Sequence, residues 1–130
     1  FVPTADETTL EQRAAKLERQ PIKVEPKGIE KPEQTQSSGK SYVRDPEVRA
    51  WVRQQAEGKC EGCGNPAPFE KSGRPFLEVH HVKHLAQEGS DRPSNAVALC
   101  PNCHRRCHHS SDRAEFTASL YTKVKRLKPE

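Results

Sequence analysis

Apolar positions along this chain fall into short runs of two periods, separated by polar stretches. Residues 6–19 (DETTLEQRAAKLER) place Leu10, Ala14 and Leu17 at helical spacing behind an acidic first turn, which predicts a short, mostly exposed helix. Gln20 to Lys40 contains Pro21, Pro26 and Pro32 among many charges and ends Q-S-S-G-K, a composition expected of a linker. A second helix should start at Asp45-Pro46, with Asp as N-cap and Pro in the first turn, and stop at Gly58. Its stripe is Val48, Trp51, Val52 and Ala56, with Trp51 as a core anchor. Residues 66–75 (PAPFEKSGRP) read as an irregular loop. Phe76–Val82 alternates as a strand, with Leu77, Val79 and His81 on one face and Phe76, Glu78 and His80 on the other. A polar loop from His84 to Asn95 leads to a short second strand, Ala96–Leu99, and a helix should begin near Pro101. A last helix is signalled at Ser111–Glu115, with Phe116, Leu120, Val124 and Leu127 down one face. The fold class is small α+β: two strands and a helix at the centre, with helices before and after.

Composition makes a staple necessary. Hydrophobic residues are 32% of the chain, against about 45–50% in ordinary globular proteins. A core that thin seldom holds a small domain without help such as a bound metal. All five cysteines and all six histidines lie between Cys60 and His109. C-x2-C at Cys60 and Cys63, then C-x2-C at Cys100 and Cys103, is the spacing of a tetrahedral four-thiolate site, which suits a structural Zn2+. Cys107 is left over as a packed helix thiol. An odd cysteine count in paired C-x-x-C spacing favours metal over disulfides and a cytoplasmic setting. No apolar run approaches bilayer length and no signal-like segment opens the chain, so no membrane partner is expected. A start at Phe1 suggests a fragment from which an upstream recognition domain is missing.

Charge is uneven. Residues 1–40 carry seven Lys/Arg against seven Asp/Glu, so the net +4 belongs to the remainder. From His104 to Lys128 seven basic residues face only Asp112 and Glu115, which favours a polyanionic partner over a merely solvated helix face once the histidines are considered.

Consecutive strand residues point to opposite faces, so His80 and His81 diverge, whereas His104 and His108 share a helix face at i, i+4. One set can hold an ion while the other addresses a water. His81 is the candidate general base, because imidazole titrates near neutrality. His80, His104 and His108 are the candidate ligands of a catalytic ion. Asn95, at the mouth of the second strand, could hold an imidazole N–H. His84 and His109 are expected on the surface or outside the ligand set, and Arg105 and Arg106 could clamp flanking phosphates.

At these residues the chain resembles the HNH (ββα-metal) endonucleases with a four-cysteine zinc. The pattern E-V-H-H…G-S-D…N-A-V-A-L-C-P-N-C-H-x-x-x-H is similar to McrA-type, modification-dependent (type IV) restriction endonucleases. Similarity covers about residues 45–110. It implies a ββα-metal core within the domain of residues 41–130, while residues 1–40, the helix and linker read from composition, lie outside the resemblance. It implies His81 as base, Asn95 as the residue that orients the base or the loop, and His80, His104 and His108 around one divalent ion. His80 stands where many HNH enzymes have Asp, so Mn2+, Ni2+, Co2+ or Zn2+ become candidates beside Mg2+. The implied activity is hydrolysis of DNA phosphodiesters to 5′-phosphate and 3′-hydroxyl ends. Cutting both strands calls for a homodimer or paired nicks. Alternatives are a non-catalytic zinc-ribbon module that binds nucleic acid, or a homing or toxin-type HNH nuclease.

Overall fold

Strand periodicity, a knuckle and a helix start meet in one unit at the centre of the molecule. In the computed structural model, which describes residues 1–35 and 41–130, strand Glu78–His81 pairs antiparallel with strand Ala96–Leu99 and helix Pro101–His109 follows at once. The register sets Glu78 opposite Leu99 and His81 opposite Ala96. In chain order the elements are α1 (Glu7–Leu17), β1 (Gln34–Thr35), β2 (Ser41–Tyr42), α2 (Pro46–Ala56), β3 (Glu70–Lys71), β4 (Arg74–Pro75), β5 (Glu78–His81), β6 (Ala96–Leu99), α3 (Pro101–His109) and α4 (Arg113–Lys123). The β5–β6–α3 unit is a ββα-metal arrangement of a small mixed α/β fold.

All four residues of β6 are buried, because α2 and α3 both pack against the strand pair. The core runs from Val48, Trp51 and Val52 of α2 through Val97 and Leu99 to Phe116 and Leu120 of α4. Each such aliphatic side chain withdrawn from water contributes roughly 1.5–3 kcal/mol. Asp45 caps α2 by accepting from Glu47 N at 2.9 Å, and Pro46 opens the first turn. Val124 and Leu127 continue the apolar face of α4 beyond its last turn, as the spacing predicts. Asp112 makes no side-chain cap bond, since its carboxylate is taken by Arg106 and Ser110.

Residues 1–35 differ from expectation. Leu10 and Ala14 of α1 are buried against α2, so this helix is not mostly exposed. Arg49 and Arg53 of α2 reach back to Glu7 and Glu11 at 2.6 and 2.8 Å. The segment expected to be solvated linker is tied down by its backbone. Ile29 and Asp91 exchange two hydrogen bonds of 2.8 and 2.7 Å, and β1 pairs with β2. Fixed partners for the peptide groups supply what composition withheld. The Q-S-S-G-K end of that segment lies outside the described residues. Residues 66–75 also hold more order than expected, as the β3–β4 pair with Phe69 stacked on Phe76 at 4.7 Å.

Candidate metal centre and active site

The sulfurs of Cys60, Cys63, Cys100 and Cys103 lie within 4.8 Å of one another. The first knuckle reaches this position by joining the sheet edge: Glu61 N donates to Ala98 O and Glu61 Oε1 accepts from Ala98 N, each at 2.9 Å. Arg126 grips the same carboxylate with two bonds of 2.8 Å. The second knuckle is the N-terminus of α3, where Cys103 N donates to Cys100 Sγ at 3.5 Å. Burial opposes ionisation of Cys60, but N–H groups of Cys100, Cys63 and Gly62 bring its thiol down to about 7. Burial and the neighbouring sulfurs push Cys100 and Cys103 up. Four sulfurs this close can all be thiolates only around a cation, and the donor set fits Zn2+. Cys107 is buried in the core, as a packed thiol should be.

Strand parity sends the tandem histidines apart as expected. On one face His80 meets His104 and His108, with ring centroids at 5.0 and 4.9 Å. His84 joins them, 5.6 Å from His80 and 4.7 Å from His108. His80 and His108 stand in the middle, with His84 and His104 as further neighbours. The nitrogens of His80, His84 and His108 come within 4.8 Å of one another, a grouping that includes His84, which was expected on the surface or outside the ligand set. His104 directs Nδ1 to Glu78 Oε1 at 3.0 Å, which leaves Nε2 as its free nitrogen. His80 is 2% exposed, and its Nε2 is buried with no hydrogen-bond partner. An orphaned imidazole nitrogen facing other imidazoles is the donor set a borderline divalent ion takes. Burial, then the neighbouring histidines, lowers the His80 pKa to about 3. Burial first, and the other imidazoles next, also lower His84 and His108. At neutral pH these rings keep lone pairs for a metal.

On the opposite face His81 Nε2 meets Asp91 Oδ1 at 2.7 Å. With N–H donated there, Nδ1 carries the free lone pair. Asp91 is 3% exposed at its side chain, and its other oxygen accepts from Asp45 N at 2.6 Å. Asn95 does not take the imidazole N–H expected of it. Its Oδ1 accepts from Lys83 N at 2.8 Å, while its Nδ2 donates to Lys83 O and Ser90 O at 3.0 and 2.8 Å. Asn95 therefore shapes the loop, the other half of its expected role, and the carboxylate ten residues after His81 holds the ring. Asp91 lies in the G-S-D of that loop, which was the available sequence signal. Gly89 is there because a Cβ would meet Lys83 O at 1.9 Å.

Much of the basic end serves the fold. Arg106 pairs with Asp112 and lies 4.2 Å from the Phe116 ring, Lys123 donates to Gly62 O, and Arg126 holds Glu61. Arg105 is exposed at the surface of α3. A cleft of about 650 Å3 between α1, α2 and β5 opens beside His104, but Arg49 and Arg53 in its wall are paired to Glu7 and Glu11.

A paired strand and helix that present imidazoles beside a four-cysteine cluster define an HNH-type metal module. Residues 60–110 match the sequence model of the family described as HNH endonuclease. The chain is 47% identical over 126 residues to the type IV methyl-directed restriction enzyme EcoKMcrA of Escherichia coli K12, covering 96% of this chain and 45% of that protein. The type IV phosphorothioation-dependent restriction endonuclease ScoMcrA has a similar structure, with TM-score 0.58 and 30% identity over 92% of this chain and 21% of that one. The chain carries an HNH endonuclease domain homologous to that of McrA, and it spans less than half the length of the curated relative it matches. No helix among the described residues is long and apolar enough to cross a membrane.

Proposed function

We propose that this chain is the cleavage module of a modification-dependent restriction endonuclease and hydrolyses DNA phosphodiesters with one divalent ion. The observation that carries this reading is the pair of adjacent histidines on β5. His81 is held by a buried carboxylate on one face, and His80 offers an unpartnered buried nitrogen to an imidazole cluster on the other. His81 Nδ1 takes the proton of the attacking water, while Asp91 keeps the ring turned and stabilises the imidazolium that forms. His80, His104 and His108 are the expected holders of the ion, with Glu78 orienting His104 as carboxylates orient ligating histidines. When bound, the ion neutralises charge that builds on the phosphoryl oxygens and the departing oxygen. Arg105, exposed on α3, is the side chain expected to meet a flanking phosphate. Arg106 reaches one only by leaving Asp112. The four-cysteine site holds Zn2+ and shapes the scaffold alone, since a closed thiolate shell has no position for substrate.

DNA is the substrate, the recognition of modified bases belongs to residues outside this chain, and two copies acting together make a double-strand break. The two relatives are named as methyl-directed and as phosphorothioation-dependent. The test is plasmid nicking by the zinc-loaded chain with each divalent ion in turn and mapping of the ends. Metal-dependent nicking that His81→Ala abolishes, with folding and zinc retained, is the expected result. A His81→Ala protein that cuts at the wild-type rate overturns the mechanism. A non-catalytic zinc-ribbon binding module gains little support, because Arg106, Lys123 and Arg126 of its basic end are engaged within the fold.

A further inference from the structure

The spacing of the helix histidines directs attention to His104 and His108, and the geometry adds His84. We propose that His84 is a direct ligand of the divalent ion, together with His80 and His108. The proposal rests on the ion site of the preceding reading and not on DNA cleavage itself.

Three observations carry it. The nitrogens of His80, His84 and His108 lie within 4.8 Å of one another, close enough for small ring rotations to bring them onto one ion with metal–nitrogen bonds of about 2.0–2.1 Å. The nitrogen of His80 that lacks a partner is buried, and the His84 and His108 rings both stand against that ring. The position of His84 is also fixed in advance. Its carbonyl accepts from Gln87 N and Gly89 N at 2.8 and 3.0 Å, closing the 3-10 turn Leu85–Gln87. Asn95, fully buried, clasps both peptide groups of the preceding residue, Lys83. Its side chain thereby locates the imidazole one residue later.

A loop-borne ligand has a mechanical consequence. The same loop carries His84 toward the ion and Asp91 toward His81, and Asn95 closes it. Ion binding on one face of β5 and alignment of the base on the other are then joined through about ten residues of well-bonded backbone. His104, held at Nδ1 by Glu78, keeps its Nε2 available on the same side as His80 and His108.

The test uses the 130-residue chain with its cysteine site filled by zinc. Co2+ titration by calorimetry should show one further ion for the wild type, bound about 10- to 100-fold or more weakly by His84→Ala and His84→Gln, since loss of groups that merely support a ligand already costs that much. In the wild-type protein, 113Cd2+ at this site should show scalar coupling to the His84 ring nitrogen. That measurement does not depend on how any variant folds. Coupling to His80 and His104 without His84, or His84 variants that bind Co2+ as the wild type does, overturns the proposal and leaves the nuclease reading standing. A wild-type chain that takes up no second ion overturns both.

Discussion

Replacing Asp91 with asparagine isolates the contact between carboxylate and base. The side chain keeps its shape, but one oxygen becomes an amide that donates. In the native protein one Asp91 oxygen accepts from His81 at 2.7 Å and the other from Asp45 N at 2.6 Å. Asparagine has a single acceptor, so one of these two donors must lose its partner. If the surviving oxygen stays with Asp45 N, the amide faces His81 Nε2–H, donor against donor, and the ring turns or shifts its proton to Nδ1. Either change removes the lone pair that takes the proton from water. Hydrogen bonds to charged groups contribute about 1.5–3 kcal/mol. If that stabilisation is realised in the transition state, kcat falls about 10- to 150-fold, with little change in KM because the Asp91 side chain is buried. Loss of one buried acceptor should also destabilise the fold by roughly 1–3 kcal/mol, so rates are measured well below the melting temperature on protein with its zinc content verified. Single-turnover nicking at saturating ion is the assay. An Asp91→Asn chain that cuts within twofold of the wild type, or whose loss lies wholly in KM, refutes the idea that Asp91 holds the base.

Other consequences concern the frame around that contact. Gly28 has φ +73° and a Cβ there would lie 2.0 Å from Asp91 O, so Gly28→Ala should break the Ile29–Asp91 pair. It is expected to lower stability by at least about 1–3 kcal/mol in chemical denaturation, and wild-type stability would show that the contact is not required. Removal of the zinc proposed for the four-cysteine site by a strong chelator, or Cys60→Ser, should abolish cooperative thermal unfolding, because a thiolate shell closed on a metal supplies folding free energy directly; circular dichroism of the metal-free chain decides this. Burial raises the carboxyl of Glu11, but Arg53 and Arg49 outweigh it and hold the pKa below 4.5, and Glu7 behaves alike beside Arg49 and Arg44. Groups depressed in the folded state stabilise it above their unfolded pKa, and that contribution is lost as pH falls through the folded value. Acidification below about pH 4.5 should therefore loosen α1, with half-buried Glu18, whose pKa is raised by desolvation, opposing in part. The double variant Glu7→Gln, Glu11→Gln reproduces the effect at pH 7 without disturbing the cysteines. Amide exchange at Leu10 and Ala14 reports it, and unchanged protection in the variant would count against these ion pairs.

Local signals were legible wherever a short-range period governs. Asp45-Pro46 and Gly58 bracket α2, the strand alternation parts His80 from His81, and C-x2-C spacing announces the sulfur cluster. Each depends on geometry that repeats every two to four residues, which the order of amino acids determines by itself. The tertiary structure alone decided the partners. Asp91, and not Asn95, meets His81; His84, half-buried, stands beside His108; and Arg126 turns inward to Glu61. The proline-rich segment likewise acquires order by exchanging peptide hydrogen bonds with Asp91, far along the chain. Such pairings are set by how the loop between β5 and β6 closes and by what the chain ends pack against. No periodicity encodes them, because the contacting groups lie far apart along the chain and are brought together by the packing around Val97 and Leu99.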